Sequence, residues 1–348
     1  MRQIEIFDSN TFELLDLSYQ YESVTVKRKF RGVGSIDMEF NSIYEGNKFS
    51  LGNYVVFNGE TYIVEDIHQY KTGNGIVKVE VFGSHINRLL EHRVLLPNVA
   101  LESGKIAKHY QVASGEYYSD VAVRMVKECF TNLVAPYNTG EWLERVASLD
   151  FSAPEKTLKA DSTYTIEAPV LLTEGLNRIL SNKKLGYRLA VDFENKKRVF
   201  EVIEPKEKDV VFSEVYGNIN DADFYENITD EKTKSVFANE DALVYECKGS
   251  NESGFARKEL IHINNTLEWK TSQKARKSAS FDIVDNNSFK YREDYDLGDI
   301  VEYYNETFNI TTRQQISEIT ETYDKVETVS ITIGDFIPTI YDRLKGEI

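Results

Sequence analysis

The first third of the chain alternates between apolar and polar positions. Ile4 and Ile6 open it, Val24, Val26 and Phe30 follow between polar neighbours, and Ile36, Met38 and Phe40 return with the same period. A two-residue period is that of a strand with one buried face. Gly32-Val33-Gly34 and Gly46-Asn47 supply turns. Asn58-Gly59 signals a two-residue hairpin and Thr72 to Gly75 a longer one. Short strands with regular turns predict a small barrel or sandwich over residues 1–95.

After Gly83 the period changes. Ile86, Leu89, Leu90 and Val94 are spaced as on a helix, and a loop-rich segment runs from Pro97 to Gly115. Ser119 is placed to cap a helix with Val123, Val126, Phe130 and Leu133 on one stripe, ended by Ala135-Pro136. Residues 137–168 are polar and weakly periodic. Thr173 is expected to cap a second helix, with Leu176, Ile179 and Leu180 inward and Gly186 as its left-handed stop. A hairpin follows, Tyr187 to Phe193 turning at Glu194 to Lys197 into Val199 to Ile203. From Val210 onward the pattern is β again: Leu243, Tyr245 and Cys247 alternate, as do Phe281 and Ile283. Lys270 to Lys277 reads as a basic linker, and Thr339 to Lys345 as a short helical tail.

One pattern occurs twice. Leu51-Gly52-Asn53-Tyr54-Val55-Val56, then Ile63 to Ile67, then Val77 to Gly83 match Leu297-Gly298-Asp299-Ile300-Val301-Glu302, then Ile316 to Ile319, then Thr328 to Gly334. Each copy is a Leu-Gly strand, a middle strand around an acidic-Ile step, and an alternating strand that stops at Gly. A duplicated β unit points to a scaffold more than to an enzyme.

Composition sharpens this. The 348 residues have room for two or three domains, and 41% hydrophobic with 12% aromatic content suits β cores. The net charge of −16 argues against a surface that holds nucleic acid but does not exclude passage of DNA through a pore, since an acidic wall repels phosphate. Cys129 and Cys247 are too few for a disulfide framework and read as reduced thiols. The first residues form an alternating strand with no signal-peptide core, and no apolar run is long enough to span a bilayer.

Candidate chemistry is sparse. His68, His85, His92, His109 and His262 form no metal motif. His85 and His92 share a face only if that segment is helical, and two ligands do not make a zinc site. There is no nucleophile elbow, no P-loop and no complete dinucleotide loop. Asn218 to Asp223 lacks the glycine and terminal glutamate of a calcium loop and reads as a polar loop before a strand. Acidic pairs such as Asp221/Asp223 and Glu318/Glu321 are too common in so acidic a chain to nominate a dyad. Lys27-Arg28-Lys29-Phe30-Arg31 is the densest basic run. It reads as a solvated strand face, or as a rim where Arg28, on the face of Val26, pairs with acidic residues of a neighbouring subunit. No catalytic, cofactor-binding or metal-binding residue is nominated.

The repeat, together with Ile4-Glu5-Ile6-Phe7, Tyr21 to Arg28, Gly34 to Phe40 and Tyr216-Gly217-Asn218-Ile219, resembles phage tail-tip and baseplate hub proteins of the siphophage type. The resemblance weakens between Arg93 and Ala168. It implies a mainly β, α+β chain: a first β-barrel tube domain over 1–95, a smaller α+β domain over 96–208, a second barrel over 209–338 with a peripheral insertion at about 240–280, and a tail at 339–348. It implies a homotrimeric ring in the virion tail tip, made in the host cytoplasm, that adapts a sixfold tube to a threefold tip and lets DNA pass. The implied partners are a tail tube or distal tail protein, tip, spike or receptor-binding proteins, and a tape measure protein, with no cofactor and no membrane insertion. The chain ends about 14 residues after the repeat, so no enzymatic extension is expected. A tail-associated peptidoglycan hydrolase, with its site within 97–205, and a carbohydrate-binding tail module are the alternatives.

Overall fold

The computed structural model describes residues 2–97, 109–130, 149–151, 158–160, 163–228, 231–238, 244–249, 251, 253–263, 276–284 and 288–334. In chain order the strands begin with β1 (Ile4–Phe7), β2 (Leu14–Ser18), β3 (Ser23–Lys29), β4 (Ser35–Phe40), β5 (Tyr54–Phe57), β6 (Glu60–Lys71) and β7 (Val77–His85), with a helical turn α1 (Ile43–Gly46) between β4 and β5. Then come α2 (Arg88–Glu91), β8 (Val94–Leu95), β9 (His109–Val112), α3 (Tyr118–Phe130), β10 (Leu149–Phe151), β11 (Tyr164–Glu167), β12 (Val170–Leu171) and α4 (Leu172–Leu180). The remainder is β13 (Gly186–Asp192), β14 (Lys197–Ile203), β15 (Glu207–Phe212), β16 (Ile219–Asn227), β17 (Lys234–Ala238), β18 (Val244–Gly249), β19 (Glu259–Ile263), β20 (Arg276–Ile283), β21 (Ile300–Asn305), β22 (Ile310–Tyr323) and β23 (Glu327–Gly334). The fold is mainly β with mostly antiparallel pairing, as the periodicity predicts. Among the described residues the long sheet is open and does not close into a barrel.

The described residues form two compact units. One takes them from 1–89, 186–224 and 278–348, the other from 90–185 and 225–277.

In the first unit one sheet runs β16-β20-β23-β22-β3-β4-β7-β6-β5-β1-β2, with β21 on β22 and β15 on β21. Read as two halves, the order repeats. The first copy is β1-β5-β6-β7-β4-β3, and the second is β15-β21-β22-β23-β20-β16. The copies agree in detail. Gly52 donates its N–H to the Val64 carbonyl at 2.8 Å, and Gly298 donates to that of Ile316 at 2.9 Å. Val64 and Ile316 donate back to the carbonyls of Asn53 and Asp299 at 3.0 and 2.8 Å. Both glycines have positive φ, 85° and 92°, which the tight turn requires. Each middle strand then carries a bulge, which leaves Glu65 and Ser317 unpaired against the third strand.

The sequence match needs a one-residue correction in that third strand. Val64 pairs with Gly83, whereas Ile316 pairs with Ile333, so Gly83 corresponds to Ile333 and not to Gly334. Aligning the glycines would turn the inward Val79 and Val81 outward, because a one-residue slip exchanges the faces of a strand. The copies also differ at one edge: β1 runs antiparallel to β5, but β15 runs parallel to β21.

Each copy has its own core. Val24, Val26, Ile36, Met38, Phe40, Val55, Phe57, Val79 and Val81 fill the first, and Phe212, Phe281, Val301, Tyr303, Ile316, Ile319, Ile331 and Ile333 the second. Asn58 and Gly59 both take positive φ at the β5–β6 turn, as the hairpin signal predicts. The hairpin of β13 and β14 pairs from Gly186 with Ile203 to Asp192 with Lys197.

The second unit contains α3, α4 and short strand pairs, β9 with β11 and β8 with β12, all antiparallel. β17 pairs antiparallel with β18 and parallel with β19. Several expectations are corrected here. The inward face of α3 is Val121, Ala122, Met125, Val126, Cys129 and Phe130, with Val123 only half-buried. Leu171, not Thr173, is the N-cap of α4, and Thr173 is buried within its first turn. The left-handed stop falls on Lys184, after a short 3-10 turn, while Gly186 starts β13. Residues 86–94 hold only the four-residue α2, and His85 ends a strand, so His85 and His92 share no helix face. Asn218 to Asp223 belongs largely to strand β16, with the Asn218 side chain bridging the Ser213 N–H and the Val211 carbonyl at 2.8 Å each. The tail at 339–345, Leu133 to Pro136 and most of the basic linker lie outside the described residues.

Candidate functional site

The two copies meet where β3 pairs antiparallel with the second half of β22, from Glu318 opposite Lys29 to Tyr323 opposite Val24. β3 alternates between half-buried and buried positions, which sends Val24, Val26 and Arg28 inward. The phase read from the sequence is therefore correct, but both readings of Arg28 are not. Its side chain is 9% exposed, and its partners belong to its own chain. Lys27, on the opposite face, takes the exposed role and bonds Glu318 across the strands at 3.0 Å.

The Arg28 guanidinium links both copies. Its Nε and Nη2 donate to Glu60 Oε1 at 3.1 and 2.8 Å. Its Nη1 donates to Tyr291 Oη and Asp296 Oδ1, both at 2.7 Å. Glu60 starts β6 in the first copy, whereas Tyr291 and Asp296 precede β21 in the second. The other Glu60 oxygen lies 3.3 Å from His85 Nε2. Tyr291 in turn donates to Glu321 Oε1 at 2.7 Å, and Arg292 Nη2 donates to the same oxygen at 2.9 Å. Asn58, at the tip of the first copy's hairpin, reaches over to Glu321 Oε2 at 3.1 Å, and Tyr323 donates to that oxygen as well.

Burial alone would raise the Glu60 carboxyl. The hydrogen bond from His85 and the charge of Arg28 outweigh it and bring the group down to about 2. Glu321 is likewise held below the usual carboxylate range: burial opposes this, and Arg292, Tyr323 and Tyr291 overcome it. Burial works to lower Arg28, but Glu60, Tyr291 and Asp296 raise it well above the ordinary guanidinium value. Acid catalysis needs a carboxyl raised toward neutrality. These carboxylates are shifted the other way and paired with arginine, a geometry that suits holding the two copies in register better than general acid catalysis. Among the described residues no three His, Cys, Asp or Glu side chains are grouped as a metal site requires.

Phe30, just past β3, completes the junction. Its N–H donates to the Ser317 carbonyl at 3.0 Å, and its ring packs on Gly186 and on Gly298.

Sequence reasoning found Arg28, Asn58 and the Leu-Gly turns. It set Glu321 aside as one acid among many and did not single out Glu60, Tyr291, Arg292 or Asp296. No spacing marks them, because Glu60 comes from the β5–β6 turn and Tyr291, Arg292 and Asp296 from the segment before β21, far along the chain.

Comparison with known proteins gives the class that the sequence resembles, phage tail proteins of the tail-tip and baseplate group. The chain belongs to the family of Siphovirus ReqiPepy6 Gp37-like proteins, whose sequence profile matches residues 3–250 and 266–335. Its fold is similar to prophage tail protein gp18 from Listeria monocytogenes EGD-e (TM-score 0.56, 12% identity, 99% of this chain and 98% of that one covered). It is also similar to the tail protein from Neisseria meningitidis MC58 (TM-score 0.57, 12% identity, 96% and 97% covered). The 43 kDa tail protein of prophage MuSo2 from Shewanella oneidensis matches in the same way (TM-score 0.55, 12% identity, 96% of each covered). No curated protein sequence matches the chain.

Proposed function

We propose that the chain is a non-enzymatic structural hub of a phage or prophage tail. Three copies form a ring that joins a sixfold tube to a threefold tip, and DNA passes through its lumen. The observation that carries this reading is the duplication itself: one chain offers the same strand order twice, joined edge to edge. Three such chains present six similar units, which is what a sixfold-to-threefold match needs. In the ring each copy completes a barrel-like tube domain, with neighbouring strands covering its open edges. The net charge of −16 keeps DNA from adhering to the lumen. Tube or distal tail proteins, a tape measure protein and tip or spike proteins are the partners of such a ring, located in the virion tail.

Light scattering and electron microscopy of the purified chain test the assembly, with three times the 40.0 kDa chain mass and a central channel expected. Gold labelling of tails tests the location. Clearing of cell wall in a zymogram, lost on replacing one acidic residue or histidine, would refute the non-enzymatic reading.

A further inference from the structure

Asparagine followed by glycine stands at two hairpin tips, Asn58-Gly59 between β5 and β6 and Asn74-Gly75 between β6 and β7. The pair is chemically reactive. The backbone nitrogen of the glycine can attack the asparagine Cγ, because no side chain stands on the glycine to block it. A Cγ–N bond forms, the Cγ–Nδ2 bond breaks, and the side-chain nitrogen leaves as ammonia with the proton given up by the glycine N–H. Water then opens the cyclic imide at either carbonyl, which gives aspartate or isoaspartate and a new negative charge. Water is the only co-reactant. The attack has three geometric needs: Cγ must turn toward the nitrogen, the amide oxygen must be stabilised as charge builds on it, and the departing nitrogen must be free.

The two tips differ in all of this. The Asn58 amide is held at both ends. Its Nδ2 donates to Glu321 Oε2 at 3.1 Å and to Tyr323 Oη at 2.5 Å, and its Oδ1 accepts from Arg2 Nη1 at 3.0 Å. Arg292 Nη1 holds the Asn58 carbonyl as well, at 2.6 Å. Asn74 is exposed. Its Oδ1 receives the Thr72 hydroxyl at 2.5 Å, a donor placed on the atom where negative charge develops. Its Nδ2 makes no hydrogen bond among the described residues. Nothing lies within 4 Å of a Cβ built on Gly73, and only Lys71 Cε lies near one built on Gly75, at 3.7 Å. The Gly75 N–H donates to the Thr72 carbonyl at 2.9 Å, a turn bond that must open for attack. Exposed tips are where such opening costs least.

We infer that Asn74 is a site of spontaneous covalent modification, conversion to aspartate and isoaspartate, and that the junction protects Asn58 from the same reaction. The isoaspartyl form is then a substrate for enzymes that methylate isoaspartyl carboxyls with S-adenosylmethionine. Each event puts a carboxylate beside Lys71, and the iso form adds an atom to the main chain of the turn that closes Lys71 against Val77. The inference goes beyond the assembly reading above and does not depend on it.

Peptide mass spectrometry of the wild-type chain, incubated in mildly alkaline buffer both folded and in urea, tests this without any substitution. The urea sample gives the reference rate of each asparagine with the fold removed. In the folded chain Asn74 is expected to convert more than about tenfold faster than Asn58, since more than one hydrogen bond must break before the Asn58 amide can turn. Methyl transfer from S-adenosylmethionine by an isoaspartyl methyltransferase is expected to label the peptide that contains residue 74. Arg2→Ala combined with Tyr323→Phe removes two of the bonds on the Asn58 amide and is expected to raise conversion at 58 severalfold, with Asn74 unchanged. Similar rates at the two tips of the folded wild type overturn the inference, as does an Asn74 that stays intact in the fold while the urea sample converts. An Asn58 that converts no faster in the double variant overturns the protection assigned to the junction.

Discussion

The Phe30 ring lies against Gly298, with a ring carbon only 2.2 Å from where a Cβ would stand. Gly52, the counterpart in the first copy, has nothing within 4 Å of that position. The two glycines share the same turn and the same sign of φ, so they form a matched pair. Gly52→Ala carries only backbone strain, about 1–2 kcal/mol. Gly298→Ala adds overpacking, for a total of about 2–5 kcal/mol. Urea denaturation of both variants measures the difference. Phe30→Leu is expected to relieve part of the second penalty and none of the first.

Arg28→Ala and Glu60→Ala each strand a buried charge and are expected to cost about 3–5 kcal/mol. The double variant costs less than the sum, with a coupling of about 1–3 kcal/mol by double-mutant cycle. Arg28→Lys does not restore wild-type stability, because three different nitrogens of the guanidinium are engaged and an ammonium cannot span Glu60 and Asp296 together.

Acid weakens the junction. Glu60 titrates at about 2 in the fold against an ordinary 4.5, so its contribution is complete above 4.5 and is lost as pH falls through 2. The full span is on the order of 3 kcal/mol. Glu321 shifts in the same direction and steepens the loss. Thermal midpoints between pH 7 and pH 2.5 should fall for the wild type. Glu60→Gln should start lower at pH 7 and fall less.

Asn58 combines a turn role with a bridge. Asn58→Gly keeps the positive φ of 51° but loses the hydrogen bonds to Glu321 and Tyr323, at a cost of about 1–2 kcal/mol. Asn58→Ala adds strain of about 1–2 kcal/mol. If the two variants melt alike, the backbone conformation at this turn contributes nothing.

What the sequence disclosed was local. The alternation of Val24, Val26, Ile36 and Met38, the Asn58-Gly59 turn and the Leu-Gly repeat all depend on neighbours within one strand or hairpin, and the structure agrees with them. The bulges at Glu65 and Ser317 leave no mark beyond one extra residue, so aligning the third strands by their glycines puts them one position off. A hydroxyl at Thr173 is the usual signal for the α4 cap, yet Leu171 takes the extended cap conformation with no side-chain bond. Arg28 is the least legible of these residues. A basic run on a strand looks solvated until the acids opposite it are known, and they come from distant turns.

The junction also sets an order of events during synthesis. Thr25 and Thr322, whose hydroxyls meet across β3 and β22, are 297 positions apart. At roughly 5–20 residues per second, β3 leaves the ribosome about 15–60 seconds before its partner exists. For that time the first copy carries a bare strand edge inside a crowded cell. Lys27, Arg28 and Lys29 lie along that edge, and charge is what keeps unpaired edges from joining the wrong strand. The charged run along that strand also supplies Arg28, which joins the two copies once the second has folded.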